Sequence, residues 1–228
     1  MVLCMKLAVV GYGKMGKLIE QLAPEYGFTV HACVDVNDDV SQAAGSDVAI
    51  EFTTPEAVVE NIEKLAALKI PVVVGTTGWL AHRDRVQEAV DRNGTGLVWS
   101  PNFSIGVNVF FRLVQEAARL LAEEPSYGAW AWEIHHDTKK DAPSGTLLKL
   151  VEDMKASGYS RAIDVSSNRA GRHPGTHEIG FDSAADTITL RHAARSREGF
   201  ARGALKAAQW IVGKQGVYEF SEVLFPTR

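Results

Sequence analysis

A glycine-rich turn near the start of the chain constrains its fold more than any other feature of the sequence. Gly11–Gly16 reads GYGKMG, a GxGxxG pattern that directly follows the apolar run Lys6–Val10. The residues after it have the apolar spacing of a helix as far as Leu22, and a second strand-like run ends at Asp35. A GxGxxG motif that follows a strand, opens a helix and precedes an acidic strand end is typical of a dinucleotide-binding βαβ unit. An ordinary glycine turn is the alternative.

Each glycine of this motif has a physical task in such a unit. Gly11 allows the tight turn, Gly13 lets the backbone approach a pyrophosphate, and Gly16 lets the helix pack on the sheet. Asp35 hydrogen-bonds a ribose 2′-hydroxyl and repels a 2′-phosphate, which favours NADH over NADPH, although Lys14 could still reach a phosphate. We therefore expect this part of the chain to bind the cofactor through six residues: Gly11, Gly13, Lys14, Met15, Gly16 and Asp35.

Strand-like and helical stretches alternate with short connections as far as Trp99. The apolar run Pro71–Val74 has the composition of a buried parallel strand, and the threonine and proline of Thr53–Pro55 suit the start of a helix that runs to about Leu68. The rhythm predicts a doubly wound parallel sheet, that is, a Rossmann-like α/β domain. Ligands bind such sheets beyond the carboxyl ends of the strands. Four segments are expected to converge there: Gly11–Gly16, Phe52–Pro55, Gly75–Gly78 and Ser100–Phe103.

The rhythm breaks at Ser100–Ser104, and the chain that follows has a different pattern. A long amphipathic helix is predicted over 106–122, and later runs alternate or are rich in Ile, Val, Thr and Phe. They predict an α+β domain with an open mixed or antiparallel sheet, whose second face needs a cover such as a neighbouring subunit. The last helix, 199–213, has small residues that suit packing on the first domain. We expect a dinucleotide-binding domain at 1–104 and 197–228, and a substrate-binding and oligomerisation domain at 105–196.

Trp132–Thr146, which reads WEIHHDTKKDAPSGT, carries more polar chemistry than any other stretch. Two histidines, two lysines and two aspartates occur within the seven residues 135–141. His135 and His136 are adjacent at a predicted strand end, so their side chains should point to opposite sides of the sheet. We therefore expect no metal ion between them, and we regard His136 as the better candidate for a purely structural histidine.

The second half of this stretch has the composition of a helix start. Pro143 suits the first helical position, with Asp141 or Ala142 near the cap. The amides of residues 144–146 would then face an anion, and the lysines at 139–140 add positive charge beside them. The stretch predicts a pocket for a carboxylate or phosphate beside titratable groups, and a solvated loop is the alternative.

Composition and charge exclude several other classes of protein. The 228 residues include 46% hydrophobic and 23% charged residues, with a formal net charge of −4, so nothing favours a nucleic-acid partner. No apolar run reaches the length of a membrane span, and no secretory h-region precedes the glycine motif. Cys4 and Cys33 fall in apolar runs, where we expect core packing, and no Cys/His metal spacing exists. We expect a cytoplasmic protein.

Several motifs together resemble the 4-hydroxy-tetrahydrodipicolinate reductases, also called dihydrodipicolinate reductases, over nearly the full chain. The most specific is HHDTKKDAPSGT at 135–146. The other motifs occur in the family's order, and they are GYGKMG at 11–16, EFTTPE at 51–56, GTTG at 75–78, NFSIGVN at 102–108, RAG at 169–171, PGTHE at 174–178 and FARGA at 200–204.

The resemblance implies an activity and an assembly. A nicotinamide cofactor delivers hydride to a cyclic, unsaturated imine with two carboxylates, in the lysine and diaminopimelate pathway. The first domain binds NAD(P)H, the second binds substrate and forms a homotetramer, and the last helix returns to the first domain. Hydride addition leaves a carbanion or enamine, and a lysine with an ordinary pKa of roughly 10.4 can supply the proton as a general acid.

The resemblance also assigns roles by position. His135 and Lys139 match the catalytic pair, with Lys139 as the proton donor. The substrate-binding positions correspond to His136, Ser144, Gly145 and Thr146. The nicotinamide-lining segments correspond to Gly75, Thr77, Ser100 and Phe103. Phe52 and Thr53 are also expected to bind the cofactor.

Four features depart from the family's usual pattern. The glycine loop is one residue shorter than in many members, and the stretch from Asp35 to Asp47 is short, so the chain resembles the compact members. Val36 stands where some members have an arginine that could grip a 2′-phosphate, and Trp79 stands where phenylalanine is frequent. Two other functions stay open at this point. One is an amino-acid or sugar dehydrogenase with the same cofactor domain, and the other is a nucleotide-sensing protein without catalysis. A proton donor beside an anion pocket argues against the sensor.

Overall fold

The structure, a computed structural model, describes residues 4–226. They divide into two compact units. The first comprises the chain up to Ile105 and from Glu198 onward, and the second is Gly106–Arg197.

The first unit contains a six-stranded parallel sheet. Its strands are β1 (Met5–Val10), β2 (Phe28–Val34), β3 (Val48–Glu51), β4 (Val72–Val74), β5 (Gly96–Trp99) and, after the second unit, β10 (Gly216–Glu219). Their order is β10-β5-β4-β3-β1-β2, and every paired neighbour is parallel. From β1 the chain continues to β2 on one side, whereas from β3 it continues to β4 on the opposite side. The order therefore reverses between β1 and β3, which is where open α/β sheets bind their ligands.

Helices cover both faces of this sheet. They are α1 (Lys14–Leu22), α2 (Val58–Ala67), α3 (Arg83–Asn93), α6 (Glu198–Ile211) and the short α7 (Phe220–Leu224). One apolar core joins one face to α1, α6 and α7, and a second core joins the other face to α2 and α3. Trp79 packs edge-on against Trp99 in the second core, which gives this unusual residue a structural role. The predicted doubly wound α/β architecture is confirmed.

The second unit is an α+β fold. Its helices are α4 (Ile105–Leu121, whose first residue closes the first unit) and α5 (Gly145–Ala156), and its strands are β6 (Gly128–His135), β7 (Ile163–Arg169), β8 (Thr176–Asp182) and β9 (Thr187–Ala193). The strand order is β7-β6-β8-β9, with β6 and β7 parallel and the other pairs antiparallel. The sheet is therefore mixed, one of the two forms expected.

The two faces of this sheet differ in burial. Ala131, Ile179 and Phe181 pack against α4 and α5 in the core of the unit. Side chains alternate along a strand, so Trp130, Trp132 and Ile134 lie on the opposite face, where they are only half-buried. Gly180 makes room for the Trp130 indole, which lies 2.1 Å from the place where a Cβ would stand.

Three sequence expectations about element boundaries are wrong. Helix α2 begins at Val58 rather than near Thr53, because the Thr53 hydroxyl donates to the Glu51 carboxylate instead of capping the helix. Helix α5 begins at Gly145 with Ser144 as its N-cap, so neither Asp141 nor Ala142 is the cap and Pro143 precedes the helix.

The other differences concern the chain ends. The run that was expected to lead into a final turn forms β10, an edge strand beside β5, followed by α7. Cys4 is exposed rather than in the core, and its thiol donates to the carbonyl of Gly27, whereas Cys33 is half-buried. Within residues 4–226, no helix combines the length and the apolar character that crossing a bilayer requires.

Candidate active site

The glycine loop after β1 has the close packing that its sequence predicts. Gly11 has φ +92°, and a Cβ on it would lie 2.1 Å from the carbonyl oxygen of Phe52. A Cβ on Gly16 would lie 2.4 Å from the oxygen of Gly11, which explains why the helix can pack so near the turn. By contrast, no atom lies within 4 Å of the Cβ position of Gly13, the N-cap of α1. The loop is therefore tight at its base and open at the helix N-terminus, which suits a bound phosphate.

A cavity of about 260 Å³ lies between the ends of β1, β2 and β3. Its walls include Tyr12, Asp35, Val36 and Asp38. Asp38 accepts a hydrogen bond from the Asp35 amide at 2.9 Å, which places two carboxylates at the same edge. Val36 is 90% exposed, so its side chain is free to contact a ligand. The two carboxylates make this edge of the cavity unfavourable for a phosphate group.

A second cavity collects the predicted nicotinamide-lining loops of the first unit. It is lined by Gly13, Lys14, Met15, Phe52, Thr53, Pro55, Gly75, Thr76 and Thr77. The Phe52 ring lies against Gly75, where a Cβ would be 2.2 Å from it, and Thr77 is exposed. The structure therefore brings together the loops after β1, β3 and β4.

Ser100 and Phe103 have a different setting from these loops. Ser100 is buried, and its hydroxyl donates to the carbonyl of Asn102 at 2.9 Å. Phe103 is buried in the core, 4.9 Å from the Phe220 ring between centroids. Their side chains shape the loop after β5 from within.

A buried carboxylate that was not among the predicted site residues lies beneath these loops. Glu51 is fully buried at the end of β3 and accepts hydrogen bonds from the Thr53 hydroxyl and from Asn61, the latter at 3.4 Å. The Thr53 amide in turn donates to the Thr76 hydroxyl at 2.7 Å. Burial raises the pKa of Glu51, and these hydrogen bonds offset the effect in part. The network fixes the loops after β3 and β4 relative to each other.

In the second unit, His135 ends β6 in a buried environment. Its side chain lies on the helix-covered face of the sheet, beside Glu133, with Nδ1 3.5 Å from a Glu133 oxygen. The His177 ring lies 5.0 Å away between centroids, nearly perpendicular. Gly175, with φ +143°, faces the other side of the ring, because a Cβ there would lie 2.9 Å from Nε2. Any larger residue at 175 would displace the histidine.

This burial decides the charge of His135. Desolvation lowers the pKa of His135 to about 4, with further lowering by His177, Lys139 and Arg169 that Glu133 only partly opposes. His135 is therefore neutral at pH 7. We expected His136 to be the structural histidine, but the buried one is His135.

His136 and Lys139 lie in the exposed turn that follows β6. Nδ1 of His136 is 2.7 Å from the Thr138 hydroxyl, and the Lys139 amide donates to the His136 carbonyl at 3.1 Å. The Lys139 ammonium donates to both oxygens of Asp141 at 2.7 and 2.8 Å. The pair lowers the pKa of Asp141. Lys139 is thus a positive charge held in place at the edge of the predicted anion pocket.

Helix α5 points its N-terminus toward this turn. Ser144 caps it by accepting a hydrogen bond from Leu147 N at 3.2 Å. The Ser144 hydroxyl and amide both donate to Glu133, the amide at 2.8 Å, so the polar groups of Ser144 are engaged inside the protein. Gly145 and Thr146 follow in the first turn, where amides have no intrahelical acceptor. Gly145 is exposed and has nothing within 4 Å of its Cβ position.

Glu133, His135 and His177 could also be read as a metal-binding group. Their ligand atoms lie within 4.8 Å of one another. The sequence predicted no metal site. Both histidine nitrogens lie beside one oxygen of Glu133, which also accepts from the Ser144 hydroxyl, and Arg169 donates to the other oxygen at 2.8 Å.

The residues that surround His135 were not among the predicted site residues. Glu133 could have been found from the alternation of β6, because residues two apart share a face of the sheet. Arg169 and His177 lie in the RAG and PGTHE segments, which resemble family motifs but were assigned no role in the site. No spacing in the sequence shows that these segments converge on one carboxylate.

Comparison with known proteins places both units. A family model described as the N-terminus of dihydrodipicolinate reductase matches residues 5–103, and one described as its C-terminus matches residues 106–224. A 4-hydroxy-tetrahydrodipicolinate reductase from Christiangramia forsetii is 35% identical over 96% of this chain and 98% of its own length. One from Archaeoglobus fulgidus is 35% identical over 96% of this chain and all of its own length.

A solved structure has the same fold. It is a dipicolinate-bound dihydrodipicolinate reductase from Paenisporosarcina sp. TG-14, with a TM-score of 0.78 and 21% identity over 96% of this chain and 99% of that one. An amine dehydrogenase from Mycobacterium smegmatis reaches a TM-score of 0.64 at 9% identity, over 95% of each chain. At such identities the likeness concerns the fold.

Proposed function

The chain belongs to the dihydrodipicolinate reductase family, whose NAD(P)H-dependent reduction of 4-hydroxy-tetrahydrodipicolinate serves lysine and diaminopimelate biosynthesis, and from this premise we propose how its residues perform that reaction. The observation that carries the function is the match of both family models, which together span residues 5–103 and 106–224. The site geometry supports cofactor binding by the first unit and substrate binding by the second.

The first unit holds the nicotinamide cofactor, which supplies hydride when bound. Gly13 and the amides that open α1 receive the pyrophosphate, with Lys14 and Met15 beside it, while Gly11 and Gly16 keep the turn close to the sheet. The open Cβ position of Gly13 supports this placement. The loops that contain Phe52, Thr53, Gly75 and Thr77 line the nicotinamide, and Ser100 and Phe103 support the neighbouring loop from within.

Asp35 gives this unit a preference for NADH. Its carboxylate accepts a hydrogen bond from the ribose 2′-hydroxyl, and Asp38 adds a second negative charge in the same cavity. No basic residue lines that cavity among its described residues. Lys14 lies on the second cavity, where a diphosphate needs it.

Lys139 is the proton donor in the second unit. Reduction of the cyclic imine leaves a carbanion or enamine that needs a proton, and a lysine ammonium is charged at pH 7. The double hydrogen bond to Asp141 holds the ammonium in one place. His135 is neutral at pH 7 because burial lowers its pKa to about 4, so it acts as a hydrogen-bonding partner in the catalytic pair rather than as the acid.

The substrate carboxylate binds at the N-terminus of α5. The amides of Gly145 and Thr146 and the helix dipole favour an anion there, and His136 in the preceding turn contributes a further polar contact. Ser144 contributes indirectly. Its hydrogen bonds to Glu133 set where α5 begins.

The experiment that tests the function is NADH oxidation coupled to the preceding synthase, with pyruvate and aspartate semialdehyde. The purified protein should oxidise NADH only when the synthase is active. No oxidation under those conditions would reject the reductase assignment, and turnover of an open-chain hydroxy or amino acid instead would favour the related dehydrogenases.

Replacement of the proton donor tests the residue assignment in the same assay. Lys139→Ala should lower kcat about 100-fold or more, in the range of general acid catalysis, with an unchanged dissociation constant for NADH. Lys140→Ala is the matched control, because it removes the neighbouring exposed charge and should leave kcat within about threefold. Unchanged kcat in Lys139→Ala would remove this residue from the mechanism.

The assembly is a homotetramer formed through the second unit. Half-buried Trp130, Trp132 and Ile134 on the uncovered sheet face support this, because aromatic side chains are enriched in subunit interfaces. The two free cysteines, one of them exposed, suit the reducing environment of the cytoplasm, where we place the enzyme.

A further inference from the structure

A fully buried carboxylate lies at the centre of the second unit. Glu133 has no exposed surface, and it is on the helix-covered face of β6, two residues before His135. A buried charge is expensive unless it is paired and hydrogen-bonded, so its surroundings must be specific. Nothing in the proposed reaction uses this group directly.

The partners of Glu133 come from every element around the proposed substrate pocket. One oxygen accepts from Arg169 at 2.8 Å, from the Ser144 amide at 2.8 Å and from the Ser167 hydroxyl at 3.1 Å. The other accepts from the Ser144 hydroxyl and lies 3.3 Å from Nε2 of His177. These donors belong to the start of α5, the end of β7 and the start of β8.

The hydrogen bonds keep the carboxylate ionised. Burial alone would raise the pKa of Glu133, but the donors from His177, Ser144 and Arg169 outweigh it and hold the pKa below its ordinary value. Arg169 also donates to the backbone carbonyl of Asp141, the residue that holds the Lys139 ammonium. The network thus extends from the sheet to the proposed proton donor.

We propose that Glu133 is the positioning residue of the substrate pocket: its carboxylate fixes the N-terminus of α5, the His177 ring that packs against His135 and, through Arg169, the turn that contains Lys139. The inference rests on the proposed function, because the pocket it organises is the one assigned there to the substrate carboxylate. Glu133 is fully buried, and its effect passes through Ser144, Arg169 and His177.

A glutamine cannot replace the carboxylate at this place. Its amide group presents two N–H donors where Glu133 presents an acceptor, so it would face either the Arg169 guanidinium or the donors of Ser144. At least one buried donor would lose its acceptor. The start of α5 would then move or loosen, and the amides of Gly145 and Thr146 would no longer converge on an anion.

The test measures binding of dipicolinate, a planar dicarboxylate, by calorimetry in the presence of NADH. Glu133→Gln should raise the dissociation constant of dipicolinate at least tenfold and lower kcat at least tenfold, while the dissociation constant of NADH stays within twofold. Glu152→Gln is the matched control, because it makes the same change at an exposed glutamate of α5, the helix whose N-terminus Glu133 contacts. The control should bind dipicolinate within twofold of the unchanged chain.

A second variant covers the case in which Glu133→Gln does not fold. Glu133→Asp retains the charge with a shorter reach, so it should fold and weaken dipicolinate binding roughly threefold to tenfold, with NADH binding unchanged. A purely structural role predicts that the variant loses thermal stability while its dissociation constant for dipicolinate equals that of the unchanged chain. Folded Glu133 variants that bind dipicolinate within twofold of the unchanged chain would overturn the inference, as would an unchanged chain that does not bind dipicolinate.

The test separates this inference from the proposed function. Failure of the coupled assay with the unchanged chain counts against the reductase assignment. The ratio of dipicolinate affinities between variant and unchanged chain tests Glu133 whatever that assay shows.

Discussion

At the scale of single residues, burial separates two histidines that are adjacent in the sequence. His135 faces the interior with 7% of its surface exposed, and His136 lies in the solvent-accessible turn. The strand alternation predicted opposite directions for the two rings, but it could not say which direction led into the protein. The buried ring must remain neutral, and this has a consequence for stability.

The protein should lose stability as the pH falls from 6.5 to 4. The unfolded chain binds a proton at His135 near its ordinary pKa of about 6.5, whereas the folded chain resists protonation until about pH 4. The stability that neutral His135 contributes is fully present above pH 7 and is lost as the pH falls from 6.5 to 4. Urea unfolding at several pH values measures it. His135→Asn should flatten the slope between pH 4 and 6.5, while exposed His31→Asn should not, and equal slopes in both variants would contradict the argument.

Asp35 should control the choice of cofactor. The unchanged enzyme should have a lower KM for NADH than for NADPH, because a 2′-phosphate would approach two carboxylates in one cavity. Asp35→Ser should change the ratio of the two KM values about tenfold toward NADPH, or about 1.4 kcal/mol. Asp39→Asn, outside the cavity, is the control. A strong preference of the unchanged enzyme for NADPH would show this prediction to be wrong.

At the scale of elements, the ends of helices depend on side chains from distant parts of the chain. The last carbonyls of α4 have no partner within the helix, and Arg161 supplies one. Its guanidinium donates to Leu121 at 2.6 Å, Ala122 at 3.0 Å and Tyr127 at 3.0 Å, and it lies 4.2 Å from the Tyr159 ring centroid. One arginine therefore caps the C-terminus of α4 and also holds the loop before β6 by a hydrogen bond.

Removal of this arginine should destabilise the second unit. Arg161→Ala should lower the free energy of unfolding by about 2–3 kcal/mol, because charge-assisted hydrogen bonds to three half-buried carbonyls are lost. Arg119→Ala is the control on the same helix, since its ion pair with Glu116 is exposed and should contribute less than about 1 kcal/mol. Urea unfolding measures both. Equal losses in the two variants would show that the capping contacts contribute little.

At the scale of the whole molecule, the uncovered face of the mixed sheet predicts that four chains assemble through the second unit. In solution the protein should have a mass four times that of one chain by light scattering. Trp132→Glu places a charge on the half-buried face and should yield smaller species, whereas Leu120→Glu on the exposed side of α4 should not. A monomeric unchanged chain would reject the tetramer.

The sequence by itself determined the fold class and the family. Gly11–Gly16 needs a tight turn against a neighbouring strand, and the Asp35 position follows from the length of a βαβ unit, so local spacing was sufficient to predict the glycine loop. The motif at 135–146 indicated the family for the same reason, since its residues are neighbours in the chain, and the site roles that it implies stay predictions. The start of α5 was misplaced, because the cap at Ser144 is selected by Glu133 and not by the adjacent proline.

Tertiary structure alone decided which groups meet around Glu133. Ser144, Ser167, Arg169 and His177 are 11, 34, 36 and 44 residues away in the chain from this carboxylate. Their convergence depends on the order β7-β6-β8, with one parallel and one antiparallel neighbour, which no local pattern encodes. A buried charge selects its partners by distance in space, and strand order sets those distances only after the sheet has formed.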